Sequence, residues 1–156
     1  MAIAIEISPE ERLVYLTIMA GGGNRVLYNI YKDSDDKTKK KIIEAMGESM
    51  KELEPVMDIY GLKKDPEGLA RAMVLTEDLI GCEPMGELLS VTENEAVRKV
   101  TSCPWAASYS DDGGTCRLVM AAMEEGIGKK HGLEIVCEQN IAEGAEYCIW
   151  KVKKKG

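Results

Sequence analysis

At 156 residues the chain fits one domain, of a size that buries roughly 70% of the surface its unfolded form exposes and needs no staple to hold it. Its net charge of −7, from 27 acidic and 20 basic residues, repels phosphate backbones on average and argues against nucleic acid as a partner. The opening MAIAIEIS is too short for a membrane span, which needs ~20 apolar residues, and lacks the basic start of a signal peptide, so the expectation is a cytoplasmic protein with no membrane partner.

The first element starts at Ser8-Pro9-Glu10-Glu11, a capping box with proline at the first helical position and two acids at the positive helix end. Leu13, Leu16, Thr17 and Ala20 keep one face until Gly21-Gly22-Gly23, where the helix is expected to stop or break before the apolar run Val26 to Tyr31. The triple glycine does not read as a phosphate loop, because no strand clearly precedes it and no Lys-Ser/Thr follows. From about Asp35, Ile42, Ile43, Met46, Met50, Leu53 and Met57 recur at helical spacing, which predicts one long amphipathic helix with Pro55 kinking or ending it near its last turn. Asp65-Pro66-Glu67 starts a third helix, carried by Leu69, Ala70, Met73, Leu79 and Ile80 to Gly81.

After Pro84 the pattern changes. Leu88 to Val91 and Ala96 to Thr101 are β-prone runs around a polar Thr-Glu-Asn-Glu turn, a hairpin. A helix follows over Cys116 to Ile127, and then a second hairpin from Leu133 to Glu138 and Tyr147 to Val152, with Gly144 in its loop. Helices first, then hairpin, helix, hairpin, predict an α+β fold in which N-terminal helices pack on a C-terminal antiparallel sheet. The chain reads as a single domain over 1–156, mainly helical in 1–82 and sheet-containing and cysteine-bearing in 83–156.

Two compositional features bear on function. There is no Phe and there are nine Met, so thioethers fill space that rings usually occupy, which is consistent with a pliable interior or an apolar cavity. Five cysteines in a reducing compartment are thiols or metal ligands rather than a disulfide framework. Strand alternation puts Cys137 on a face with Leu133 and Ile135, and Cys148 on a face with Trp150 and Val152, so both thiols can point to one side. Cys116 falls in the first turn of its helix, where the positive helix end is expected to lower its pKa, and Cys103 is held extended by the proline after it. Three readings of these thiols stand open: plain core packing, a thiol-lined ligand or active site, and a metal site formed by Cys103, Cys116, Cys137 and Cys148, although no Cys-x-x-Cys pair is present. Cys82 is read as packing, and Asp111-Asp112-Gly113-Gly114 as a turn-rich loop. His131 is the only imidazole available as a general base, and Glu124, Glu125, Glu134 and Glu138 are the nearby acids.

The run VTSCPWA, the second thiol at Cys116 and the ending Gly144 to Trp150 resemble the L-2-amino-thiazoline-4-carboxylic acid hydrolase-like family and the broader 4-vinyl reductase group of small-ligand domains. Glu134, Cys137, Gly144, Cys148 and Trp150 fill the cadence of that group's C-terminal hairpin, while Ala145 and Trp150 depart from the family's usual acidic residue and Phe. The resemblance covers about the last third of the chain. It implies an α+β domain that encloses a small-molecule ligand near the cysteines, with a homodimer as the expected partner state. The resemblance carries over Cys103, Cys116 and Cys148, with Cys137 from the second group; with these, Cys103, Cys116 and His131 are taken as the candidate catalytic residues, and Trp105, Cys137, Glu138 and Trp150 as the candidate ligand-binding residues. Two functions follow. One is hydrolysis of a cyclic amidine by a thiolate, or by water activated on a divalent metal such as zinc. The other is a non-catalytic sensor or carrier with a Met- and Cys-lined pocket.

Overall fold

The computed structural model describes residues 8–81, 86–103, 105 and 113–156, and for 9–13, 17 and 77–81 the backbone alone. Four helices come first: α1 (Pro9–Lys32), α2 (Asp36–Met50), α3 (Leu53–Ile59) and α4 (Pro66–Gly81). Strands β1 (Gly86–Val91) and β2 (Glu95–Val100), helix α5 (Gly114–Met123) and strands β3 (Leu133–Gln139) and β4 (Cys148–Lys154) complete the α+β fold. The strands form one antiparallel sheet in the order β1-β2-β4-β3, so the two hairpins join through β2 and β4.

The start signal at Asp65 acts as read, and Asp35, where the second helical pattern begins, caps that helix. Asp35 Oδ1 accepts the Thr38 amide at 2.7 Å and Asp65 Oδ1 accepts the Gly68 amide at 2.8 Å, each satisfying a donor that a helix start leaves open. Both hairpins fall where alternation put them. The Thr92 hydroxyl, which accepts the Asn94 and Glu95 amides at 3.3 and 3.0 Å, pins the first turn.

Two expectations about the helices fail. The triple glycine does not stop the first helix, because α1 runs unbroken through it to Lys32. Each interior glycine costs about 1 kcal/mol of helix stability, but the turns beyond are anchored: Tyr28 and Tyr31 pack against Met46, Leu118 and Ala122. Pro55 does not close a long helix either. The chain breaks after Met50, and Pro55 sits in the first turn of α3, where a missing amide hydrogen removes no helical bond.

The main core lies between the helices and one face of the sheet. Met57, Leu69, Ala72 and Met73 meet Ala96, Leu133 and Val152, with Met123 and Ile127 closing it from the far end of α5. α4 covers β1, β2 and β4, while α2 packs along α5 and the turn of π-helix (Glu124–Gly128) that extends it. Burial of this kind contributes about 25 cal/mol per Å² of apolar surface. It makes methionine, rather than phenylalanine, the space-filler that composition anticipates.

Candidate functional site

The buried face of the sheet can be read across three strands. On β2, Ala96, Arg98 and Val100 are buried and alternate with half-buried neighbours. The register sets Arg98 opposite Trp150 and Val100 opposite Cys148 on β4, and Trp150 opposite Cys137 on β3. Val100, Cys148 and Trp150 form one packed cluster, and Cys116, Cys137, Met120 and Ile141 lie against it. The shared side expected for Cys137 and Cys148 is therefore present, and α5 brings Cys116 onto it.

Two donors point at sulfur. The Ile141 amide donates to Cys148 Sγ at 3.3 Å, and Asn140 Nδ2 donates to Cys137 Sγ at 3.6 Å. Asn140 is fully buried, and its Oδ1 accepts the Glu143 amide at 2.9 Å, which caps the short 3-10 turn Ile141–Glu143 between the last two strands. Glu143 in turn receives Arg117 Nε at 2.6 Å and Nη2 at 2.8 Å, a two-pronged pair that ties this turn to the start of α5. Gly113, with φ of +76°, lets the chain enter α5 beside Asn140; a Cβ there would lie 2.5 Å from Glu143 Cγ and 2.8 Å from Asn140 Oδ1.

Electrostatics reveals how the four thiols stand to one another. Burial pushes the Cys116 thiol well above its ordinary value, and Cys103, Cys148 and Cys137, in that order, are close enough to push it further as their own charges develop, against the lowering pull of Arg98. Cys137 is also pushed up by burial, while the Asn140 hydrogen bond, Arg117 and Arg98 pull the other way. The lowered Cys116 pKa expected from the helix start is thus corrected: withdrawing the sulfur from water outweighs a partial helix-end charge. The four cysteines among the described residues are reduced. Among the described residues no three His, Cys, Asp or Glu side chains come together as a metal-holding group, so the four thiols as placed do not fit a zinc site.

The other candidates scatter. His131 lies at the opposite end of the helical segment from Cys116, roughly 20 Å away at about 1.5 Å per residue. There its Nε2 is 2.7 Å from Glu54 Oε1, and Lys130 Nζ donates to Glu54 Oε2 at 2.7 Å. Those two partners, Lys130 first, hold the Glu54 carboxyl below its ordinary pKa. Glu138 is exposed and pairs with Lys151, off the buried face, and Trp105 is half-buried beyond β2. Glu124 accepts the Ile135 amide and pairs with Lys155, and Glu125 pairs with Lys129, so both serve structure. Cys82 and Asp111-Asp112 lie outside the described residues. A cavity of ≈ 350 Å³ is lined by Met50, Leu53, Val56 and Met123 with Ser49, Glu52 and Thr76, and among the described residues no cysteine reaches its wall, so this hollow and the sulfur cluster are separate places.

No family model and no curated protein matches the sequence. Among solved structures, a trafficking protein particle complex subunit 3 from Naegleria fowleri covalently bound to palmitic acid is similar to this chain, with a TM-score of 0.59 over 93% of this chain and 96% of that one. The two share 13% sequence identity, so the likeness is one of fold. No helix among the described residues is long and apolar enough to cross a membrane.

Sequence reading missed Arg98, Asn140 and Thr115. Arg98 is 1% exposed, and its signal was its parity with Ala96 and Val100 in a β-prone run. Asn140 announces itself only as an Asx residue ahead of a tight turn. Thr115 Oγ1 is buried beside Cys116 and has no hydrogen-bond partner among the described residues.

Proposed function

We propose that the chain is a non-catalytic small-ligand module, a sensor or carrier of the 4-vinyl reductase-like kind, that takes a largely apolar, thiophilic molecule at the sulfur cluster. The observation that carries this reading is the packed cluster of Val100, Cys148 and Trp150 with Cys116 and Cys137 lying against it, a site where burial pushes the Cys116 thiol up. A thiol of that kind packs against soft, polarisable groups, whereas nucleophilic attack needs thiolate. His131 is engaged by Glu54 at the far end of the helical segment, so the acid–base help that opening a cyclic amidine requires is not gathered with the sulfur. Thr115 Oγ1 supplies one buried polar group for orienting a bound molecule. The fold neighbour's covalently bound palmitic acid is in keeping with an apolar ligand on this architecture. Four reduced thiols suit the reducing cytoplasm. A divalent metal has no part in this reading.

Native mass spectrometry of the chain purified under reducing conditions tests it. The expected spectrum carries a discrete added mass that a Cys116→Ser variant loses. A bare wild-type chain overturns the proposal, and one that also opens the ring of 2-amino-thiazoline-4-carboxylate, at a rate that falls in Cys103→Ser, establishes hydrolysis in its place.

A further inference from the structure

α1 and α2 leave a groove between them. A hollow of ≈ 370 Å³ there is lined by Leu27 of α1 and by Ile42, Ala45 and Met46 of α2, with Thr38, Lys41 and Ser49. The α2 positions recur at spacings of three and four, so they form one face of that helix. Ser49 also borders the ≈ 350 Å³ cavity beside α3, and the two hollows follow one another from Thr38 to Val56, roughly 25 Å of chain at the helical rise. Over this length the walls offer little hydrogen bonding. Ser49 Oγ donates to the Met46 carbonyl at 2.7 Å and Thr76 Oγ1 to the Ala72 carbonyl at 2.8 Å, so both hydroxyls are spent on their own helices, and Thr38 is engaged by Asp35. Such a wall suits a bare hydrocarbon chain.

The two ends of the groove differ in charge. The far hollow is bordered by one acid, Glu52, and by no base. At the near end stands Lys41, with Lys37 one helical turn before it. Neighbouring lysines are occupied: Lys32 and Lys39 sit over the Tyr28 and Tyr31 rings, and Lys40 pairs with Glu44. Lys37 and Lys41 have no ion pair among the described residues. Of the acids close by in sequence, Asp33 and Asp35 precede α2, where Asp35 caps it, and Asp36 falls half a turn round the helix from Ala45. The amino end of α2 adds partial positive charge to the same place.

We infer that this groove holds a single-chain anionic amphiphile, an alkyl phosphate monoester, with its hydrocarbon laid along α2 and its phosphate at Lys37 and Lys41. The inference is independent of the thiol-site reading. Two uncommitted ammonium groups a turn apart match the near-double negative charge of a phosphate monoester at neutral pH, whereas a carboxylate answers only one of them. On a chain of net charge −7, a basic end to an apolar groove is a local feature that the overall field does not supply.

Calorimetric titration of the full chain with decyl phosphate, below its micellar concentration, is the test, with decanoate, 1-decanol and inorganic phosphate alongside. Decyl phosphate is expected to bind at one site, at least tenfold tighter than decanoate or decanol, and inorganic phosphate not measurably. In Lys37→Gln/Lys41→Gln, whose two positions are exposed, decyl phosphate should weaken at least tenfold, to the level of decanol, and decanol itself should be unaffected. Ala45→Glu, at an exposed position in the hollow, sets a charge in the path of the hydrocarbon and is expected to abolish binding of all three alkyl probes with unchanged circular dichroism. No saturable binding of decyl phosphate, decanoate bound as tightly, or an undiminished preference for phosphate in the lysine variant each overturns the proposal. A wild type that binds no probe but sediments at about twice 17.2 kDa, and as a monomer in Ala45→Glu, overturns it in favour of a second copy in the groove.

Discussion

The two ends of the helical segment from Gly114 to His131 are built from opposite materials. At its start, Cys116 lies, with Cys137 and Met120, against the packed Val100, Cys148 and Trp150. At its finish, His131 and Lys130 close on Glu54 of α3 in a charged cluster that reaches the surface. The difference teaches that this fold gathers its thiols on the inner face of the sheet, with Arg98 buried on the same face, and keeps its imidazole in an ion-paired cluster at the other end. A Cys–His pair legible as two residue types in one sequence is separated by the helical segment that carries both.

The comparison can be broken by removing what holds each end. The largest effect is expected at the sulfur end: Trp150 is 2% exposed, and Trp150→Ala should lose about 3–5 kcal/mol in urea unfolding, because the vacated volume lies between Arg98 and Cys137. A loss under 1 kcal/mol would mean the cluster is loosely packed and the contrast false. Asn140→Ala comes next, at about 1–3 kcal/mol, since the Glu143 amide and the Cys137 sulfur both lose a buried partner. In that variant the Cys137 pKa should rise, because a hydrogen bond favouring thiolate is gone; alkylation rate against pH measures it.

The smallest effect belongs to the charged end. Glu54→Gln should cost about 1 kcal/mol or less, as ion pairs near water do. Its pH signature is nevertheless distinct. The Glu54 carboxyl is depressed in the folded state, so its contribution is fully present above the ordinary carboxylate value of 4.5 and fades as pH falls through the lowered folded value. Stability measured from pH 6 downward should therefore fall less steeply in Glu54→Gln than in the wild type. Equal slopes would remove Glu54 from the acid response.

Much of the sheet half was legible because strands write their faces directly into alternation: the positions of both hairpins, and the common side of Cys137 and Cys148, follow from a period of two. The start at Asp65 was legible for a similar reason, since its carboxylate bonds three residues ahead. What stayed hidden depends on long-range contact. α1 continues through three glycines because tyrosines beyond them pack on α2 and α5, and nothing local records that packing. The break after Met50 is likewise not written in the methionine spacing, which continues past it. Cys116 was read from its place at a helix start, whereas its titration is governed by burial and by sulfurs up to thirty-two residues away in sequence.

The account rests on those sulfurs sensing one another, and the pH dependence of iodoacetamide labelling at Cys116 tests it most directly. Buried, Cys116 should stay protonated well above the ordinary thiol value of 9.0. In a folded Cys103→Ala/Cys137→Ala variant its apparent pKa should fall, because two neighbours whose charge raises it are gone. An apparent pKa unchanged by those substitutions, in a variant of wild-type circular dichroism, would contradict the gathering of the four thiols.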